Sequence, residues 1–152
     1  EMVAAVKNMR SLVQDAASKN LLPTASFFGE KLVCLPGAED EDIFVLAQLY
    51  FQQRQFKRAL LTLQRVSNSS SPRFRLLAGQ CLAEGKEWDQ CLAVLGEEEQ
   101  QSMRTEAARE EQEGVATVAG MCLLRGKVYD MQQNRVKAAY WYQEAVKRDV
   151  RC

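Results

Sequence analysis

The side chains able to do chemistry are few in kind. Histidine is absent, which removes the commonest general base, most zinc sites and every Ser-His or Cys-His dyad. The five cysteines, Cys34, Cys81, Cys91, Cys122 and Cys152, are odd in number and widely spaced, with no Cys-x-x-Cys pair. They read as free thiols of an intracellular protein rather than as a disulfide framework. Carboxylates gather in two runs. Glu39-Asp-Glu-Asp42 precedes an apolar stretch that starts at Ile43, where negative charge suits the positive end of a helix dipole. N-terminal capping is therefore read there in preference to a metal or partner role. Residues 97–114 hold seven glutamates and almost no large apolar residue. Such a stretch cannot bury enough surface to fold alone, so it reads as a solvated, partly helical insertion, with a docking strip for a basic partner as the alternative. Nothing apolar surrounds those carboxylates to shift a pKa, so they are not an acid–base pair. Ser71-Pro72 reads as a helix N-cap with proline at the first helical position. It is also the minimal site of a proline-directed kinase, and the two roles are compatible because a helix N-terminus tolerates phosphate. With no glycine-rich phosphate loop either, no enzyme activity, cofactor or metal is expected.

Charge balance narrows the partners. Lys plus Arg number 20 and Asp plus Glu number 20, and a nucleic-acid footprint needs a basic excess. No apolar run approaches the roughly 18 residues of a membrane span, and no signal peptide is visible. No nucleic acid, membrane or small-molecule substrate is expected as a partner. The 152 residues suit one domain, able to bury roughly 70% of its unfolded surface. The sequence starts without Met and stops mid-pattern at Cys152, and it is read as an excised fragment.

What remains is helix after helix. Residues 2–19 carry Met2, Val6, Met9, Val13 and Ala16 at helical spacing, and 23–35 carry Ala25, Phe28, Leu32 and Leu35 before Pro36-Gly37 stops the run. Ile43 to Phe51 and 56–66 form a second pair around Gln52-Gln-Arg-Gln55. Residues 73–84, the turn at Glu84-Gly-Lys86, and Trp88, Cys91, Leu92 and Leu95 form a third. The last pair spans 115–131 and 134–149. In it Gly126 and Tyr129 share one helix face, and Ala138, Tyr142 and Ala145 make the seam of the next. Small residues Gly126 and Ala138 let the two helices approach closely, with Tyr129 and Tyr142 filling the space beside them.

The order small, aromatic, turn, small, aromatic, small is the 34-residue tetratricopeptide pattern. Gly126 placed at motif position eight puts Tyr129 at eleven, Ala138 at twenty, Tyr142 at twenty-four and Ala145 at twenty-seven. The same frame yields Ala47, Tyr50, Ala59, Leu63 and Val66 in the second pair, and Gly79, Leu82, Cys91 and Leu95 in the third, which departs at Glu98. In the first pair it yields Val13, Ala16, Ala25 and Leu32, with Gly29 where bulk is expected. Position-eight residues 13, 47, 79 and 126 are separated by 34, 32 and 47, so the glutamate-rich stretch falls between the last two copies. Position seventeen agrees in three copies: Leu22, Phe56 and Trp88. An unrelated bundle has no reason to recur at that period. The expected fold is all-α, a tetratricopeptide superhelix of about four antiparallel helix pairs. It forms a single domain over 1–152, with repeats near 6–39, 40–71, 72–96 and 119–152 and an acidic insertion at 97–114.

The fourth copy carries more than the generic positions. Cys122-Leu-Leu-Arg-Gly-Lys-Val-Tyr-Asp130, Asn134-Arg135, Tyr142-Gln-Glu-Ala-Val-Lys147 and Asp149-Val150 resemble the N-terminal region of subunit 6 of the anaphase-promoting complex (cyclosome). Lys31-Leu32 and Ile43 to Tyr50, with Leu46-Ala47-Gln48, are similar to preceding segments of that family. The resemblance implies a non-catalytic scaffold of a cell-cycle ubiquitin ligase, found in nucleus and cytoplasm, whose members form homodimers through their N-terminal halves and associate with other tetratricopeptide subunits. It also implies a small accessory subunit bound to a C-terminal half that this sequence lacks. Val150 stands where the generic motif has proline, so the chain is expected to run on into further helices.

In tetratricopeptide folds the first helix of each pair lines the concave side. Position by position this nominates Phe44, Gln48 and Phe51, then Leu76 and Gln80, then Leu123, Lys127 and Met131 as a protein-binding groove. So long an apolar surface calls for an occupant. A helix with Met2, Val6 and Met9 on one face is the candidate, exchanged between two copies in an isologous dimer. The alternatives are that Phe44, Leu76 and Leu123 are intramolecular core, or that the chain is a monomeric peptide-binding adaptor of co-chaperone type.

Overall fold

The computed structural model describes residues 2–66, 71–95 and 115–148, with side-chain surroundings from Val3 and, in the last pair, from Ala119 to Lys147. All regular structure among the described residues is helical. The helices are α1 (Met2–Ser18), α2 (Leu22–Val33), α3 (Asp40–Gln52), α4 (Phe56–Leu63), α5 (Pro72–Glu84), α6 (Trp88–Leu95), α7 (Val115–Met131) and α8 (Arg135–Arg148). They pair in order, α1 with α2, α3 with α4, α5 with α6 and α7 with α8, as the short connections require. The acidic insertion at 97–114, Glu98 and Cys152 lie outside the described residues. The chain divides into two compact units, Glu1–Ser69 and Ser70–Cys152.

Every pair closes through the same turn. Asn20, Arg54, Lys86 and Gln133 all have positive φ, between 59° and 64°. Each stands seven residues after motif position eight, so these four residues repeat the separations of 34, 32 and 47. Around each, two backbone bonds recur. Leu21, Gln55, Glu87 and Asn134 donate their N–H to the carbonyls of Ala16, Tyr50, Leu82 and Tyr129 at 2.8–2.9 Å, and the left-handed residue itself donates three residues back. This is the Schellman arrangement, which satisfies carbonyls orphaned at a helix end. The chain then re-enters a helix at once, on Leu22, Phe56, Trp88 and Arg135.

Between the two helices of each pair the small residues meet bulk. Positions eight and twenty are buried in all four copies: Val13 and Ala25, Ala47 and Ala59, Gly79 and Cys91, Gly126 and Ala138. A Cβ added at Gly126 would stand 2.6 Å from the Tyr142 ring. Tyr142 therefore lies directly on Gly126 and not beside it. At Gly79 an added Cβ would meet Leu95 and Leu124, each at 3.1 Å, and the Cys91 thiol donates to the Gly79 carbonyl at 3.2 Å. The departure at Gly29 has a cause: an added Cβ would come within 2.9 Å of Leu46 Cδ1. Leu46, on α3, supplies the bulk that α2 omits.

In the first unit Val6, Val13, Ala16, Ala25, Leu32 and Leu49 form one apolar cluster from α1, α2 and α3. A polar link reinforces it. Arg10 on α1 donates from Nε and one terminal nitrogen to the two oxygens of Asp42 on α3, both at 2.8 Å. Asp42 also accepts the Glu39 N–H at 2.9 Å, one half of the capping box that starts α3. The expected capping role of the acidic run is thus realised. Burial alone would push the Asp42 carboxyl up, but the Arg10 bonds, the Glu39 N–H and the guanidinium charge outweigh it and hold it below its ordinary value.

The second unit has a buried arginine at its centre. Arg125 on α7 is 1% exposed. Its guanidinium donates to the Leu95 carbonyl and stacks over the Trp141 ring at 4.7 Å. Arg75 on α5 donates to the Val94 carbonyl at 3.1 Å and also to Leu95. Two cations from neighbouring helices therefore hold the negative C-terminal end of α6.

Three measurements test these contacts. Gly126→Ala destabilises the chain by about 1–3 kcal/mol in urea unfolding, as overpacking does, and adding Tyr142→Leu recovers part of the loss. Lys86→Gly, which relieves a left-handed side-chain residue at an exposed turn, raises stability by up to about 1 kcal/mol. Asp42→Asn lowers the urea midpoint most near neutral pH. Because the folded carboxyl sits below its ordinary 3.8, its contribution is full above that value and fades as pH falls through it. The gap between wild type and variant therefore closes in acid.

Candidate functional site

The nominated groove residues do not share one environment. On α3, Phe44 is buried, Gln48 is exposed and Phe51 is half-buried, its ring edge-to-face with Phe56 at 5.4 Å between centroids. Phe44 thus belongs to the in-chain core. On α5, Leu76 and Gln80 are half-buried, and Leu76 packs so near α7 that a Cβ at Gly120 would stand 3.2 Å from it. On α7 the picture changes. Leu123 is 43% and Met131 60% exposed, and Lys127 between them is exposed as well. Residues spaced by four share a helix face, so these three form one open stripe, apolar at both ends and cationic in the middle.

The face of α1 proposed for exchange turns inward in its own chain. Val6 is 4% exposed and Met9 packs against the same cluster. A Cβ at Gly37 would stand 3.0 Å from Val6 Cγ2. The Met2 side chain lies outside the described surroundings. Apolar groups that α1 does present are Val3 and Leu12, at 70% and 43% exposure. Sequence spacing alone could not foresee them, because it shows which residues share a face but not which face the neighbouring helix takes.

Ser71 stands at the N-cap of α5 in extended conformation with Pro72 at the first helical position, as expected, although its hydroxyl makes no capping bond to the helix. It is partly exposed. The described cysteines are free thiols, Cys34 exposed and Cys81, Cys91 and Cys122 buried. Burial, and then the nearby Glu84 charge, pushes the Cys81 thiol up to about 12. Burial likewise takes Cys91 to about 11 against the opposing pull of Arg125. Both stay protonated at neutral pH and are poor nucleophiles. Tyr50 is raised to about 12 by burial and by donating to Glu30, so it acts as a neutral donor linking α3 to α2. Among the described residues no group of three or more His, Cys, Asp or Glu could hold a metal ion, and no helix is long and apolar enough to cross a membrane.

Comparison with known proteins shows what the chain is similar to. Residues 18–98 match the family model described as anaphase-promoting complex, cyclosome, subunit 3. The chain is 35% identical to anaphase-promoting complex subunit 6 of Arabidopsis thaliana, over 97% of its own length and 29% of that protein's. Among solved structures it superposes on the crystal structure of the APC/C hetero-tetramer Cut9-Hcn1 with a TM-score of 0.77 and 29% identity, covering 97% of this chain and 27% of that one. It also superposes on YrrB, a tetratricopeptide protein, with a TM-score of 0.73 over 98% of this chain and 71% of that one. At 22% identity this second likeness speaks for the fold alone. The chain spans less than a third of the length of the curated relatives it matches. The expected resemblance to subunit 6 holds, and the four pairs with their recurring small residues and turns are tetratricopeptide repeats. The chain belongs to the anaphase-promoting complex (cyclosome) subunit 3 family of helical-repeat proteins.

Proposed function

We propose that the chain is a non-catalytic scaffold segment of a cell-cycle ubiquitin ligase, the anaphase-promoting complex, working by self-association and by contact with other tetratricopeptide subunits. The observation that carries this reading is the match of 97% of the chain to subunit 6. The same share of the chain superposes on Cut9 within a multi-subunit assembly. The interior chemistry agrees with it. The Cys81 and Cys91 thiols are protonated, and the buried charges Arg125 and Asp42 are engaged in holding helices together. The single repeat domain over 1–152, a nuclear and cytoplasmic location, and Ser71 as a proline-directed phosphorylation site belong to the same proposal.

The exposed stripe Leu123, Lys127 and Met131 is the best-placed surface for a second copy. Its two apolar ends lose little by being changed in the free chain, since neither is core. Phe44 and Val6, in contrast, cannot serve contact without leaving their own unit. Leu123→Glu with Met131→Glu provides the test. Light scattering at micromolar concentration is expected to give twice the protomer mass for the wild type, and the protomer mass for the double variant with its helical circular dichroism intact. A folded variant that stays dimeric removes this stripe from the interface. A monomeric wild type replaces self-association by the peptide-binding adaptor reading.

A further inference from the structure

Charges of the two signs are equal in number over the whole chain, yet between Asp42 and Glu84 no carboxylate occurs. In the first unit that stretch carries the cations Arg54, Lys57, Arg58 and Arg65, all of them exposed. They gather on the second helix pair. Arg54 stands in its turn. Lys57 and Arg58 lie four and three residues before Leu61 on α4, and so share its face. Arg65 follows four residues after Leu61, just past the end of α4, where its N–H closes onto the Thr62 carbonyl at 3.1 Å. Leu61 itself is 62% exposed. Helix stability does not ask for this arrangement. Cations suit the negative C-terminal end of a helix, which accounts for Arg65. Lys57 and Arg58 stand instead in the first turn, at the positive end, where their charge is unfavourable. In the same place α3 has Asp40, Glu41 and Asp42. No acidic residue occupies the first turn of α4, and its N-cap Gln55 makes no side-chain bond to the helix.

Little within the unit answers these charges. Arg58 donates to Gln55 Oε1 at 3.1 Å and lies over the Tyr50 ring at 5.5 Å, and the Tyr50 hydroxyl donates in turn to Glu30 of α2. Arg54, Lys57 and Arg65 enter no ion pair among the described residues. An apolar side chain flanked by cations on both sides matches one chemistry of partner. Carboxylates pair strongly with guanidinium and ammonium groups, and an apolar side chain between them covers Leu61 without burying a charge. A basic segment would meet like charge, and a nucleic acid calls for a basic excess that the chain as a whole lacks. We propose that this face of the second helix pair docks an acidic segment of another protein, one that carries an aliphatic or aromatic side chain between carboxylates. That side chain lies on Leu61, and the carboxylates pair with Lys57 and Arg58 on one side and with Arg65 on the other. The face belongs to a different helix from the α7 stripe, so it stands whether or not the chain self-associates.

The probe is a random peptide library displayed on phage, depleted on the Lys57→Glu/Arg65→Glu variant and then selected on the wild-type chain. Enriched peptides are synthesised and titrated by fluorescence anisotropy. Peptides with Asp or Glu on both sides of an apolar residue are expected. Lys57→Glu/Arg65→Glu, or Gln in place of the peptide's carboxylates, is expected to weaken binding by about tenfold, and Leu61→Ser weakens it as well. Lys7→Glu/Lys137→Glu, the same change of charge at two exposed positions elsewhere, leaves binding unchanged. Lys57→Glu alone serves if the double variant folds poorly. It places a carboxylate in the first turn of α4, so its urea midpoint holds or rises while binding falls, a split that a purely structural role would not produce. Enriched peptides without carboxylates, affinities indifferent to Lys57 and Arg65, or no enriched peptide at all overturn the assignment. Failure of the library together with binding of oligodeoxythymidylate that the double variant loses overturns it in favour of nucleic acid. Failure of the library together with a loss of dimeric mass in the double variant overturns it in favour of a second copy.

Discussion

Each helix pair depends on a turn that costs something. Asn20, Arg54, Lys86 and Gln133 hold left-handed backbone with a side chain attached, a conformation that glycine would adopt freely. The cost is met by bonds that return to the end of the preceding helix and by the contact those bonds enforce. Reversing the chain within so few residues brings the second helix against the first where motif positions eight and twenty face each other. Seven of these eight positions hold Gly, Ala or Cys, Val13 being the exception, and Gly126 lies under the Tyr142 ring. Turn and seam are therefore one constraint.

Much of this was legible beforehand because it is periodic. Apolar spacing of three and four marked the helices, and the recurrence of Ala47, Gly79 and Gly126 marked the repeats. The Pro-Gly and Ser-Pro pairs marked the boundaries. The observed helices start and stop within about three residues of the expected ones. Less legible was anything decided by the partner of a face. Phe44 and Leu123 occupy comparable positions on first helices, yet one is buried and the other open. The difference lies in what packs beside them. Gly29 omits the bulk expected on α2 because Leu46 reaches that place from α3.

Arg125 illustrates a second limit. A lone arginine in a helix reads as solvent-facing, and no spacing rule marks it as buried. It is buried because the end of α6 presents carbonyls that need donors and Trp141 presents a ring face. Arg75 reaches the same carbonyls from α5. A charged residue thus does the work that a C-terminal glycine cap does elsewhere, and it also joins three helices. In the first unit Arg10 and Asp42 play a related part across α1 and α3.

Closing turns at a constant offset from the seam have a consequence for growth of the chain. The number of residues inside a pair is set by the turn and cannot vary without breaking the contact it enforces. The spacing between pairs obeys no such rule, and the interval of 47 between the third and fourth copies shows where slack is taken up. A protein made this way can acquire new sequence at its joints while leaving each hairpin intact, which makes the joints the natural ground for divergence among related chains.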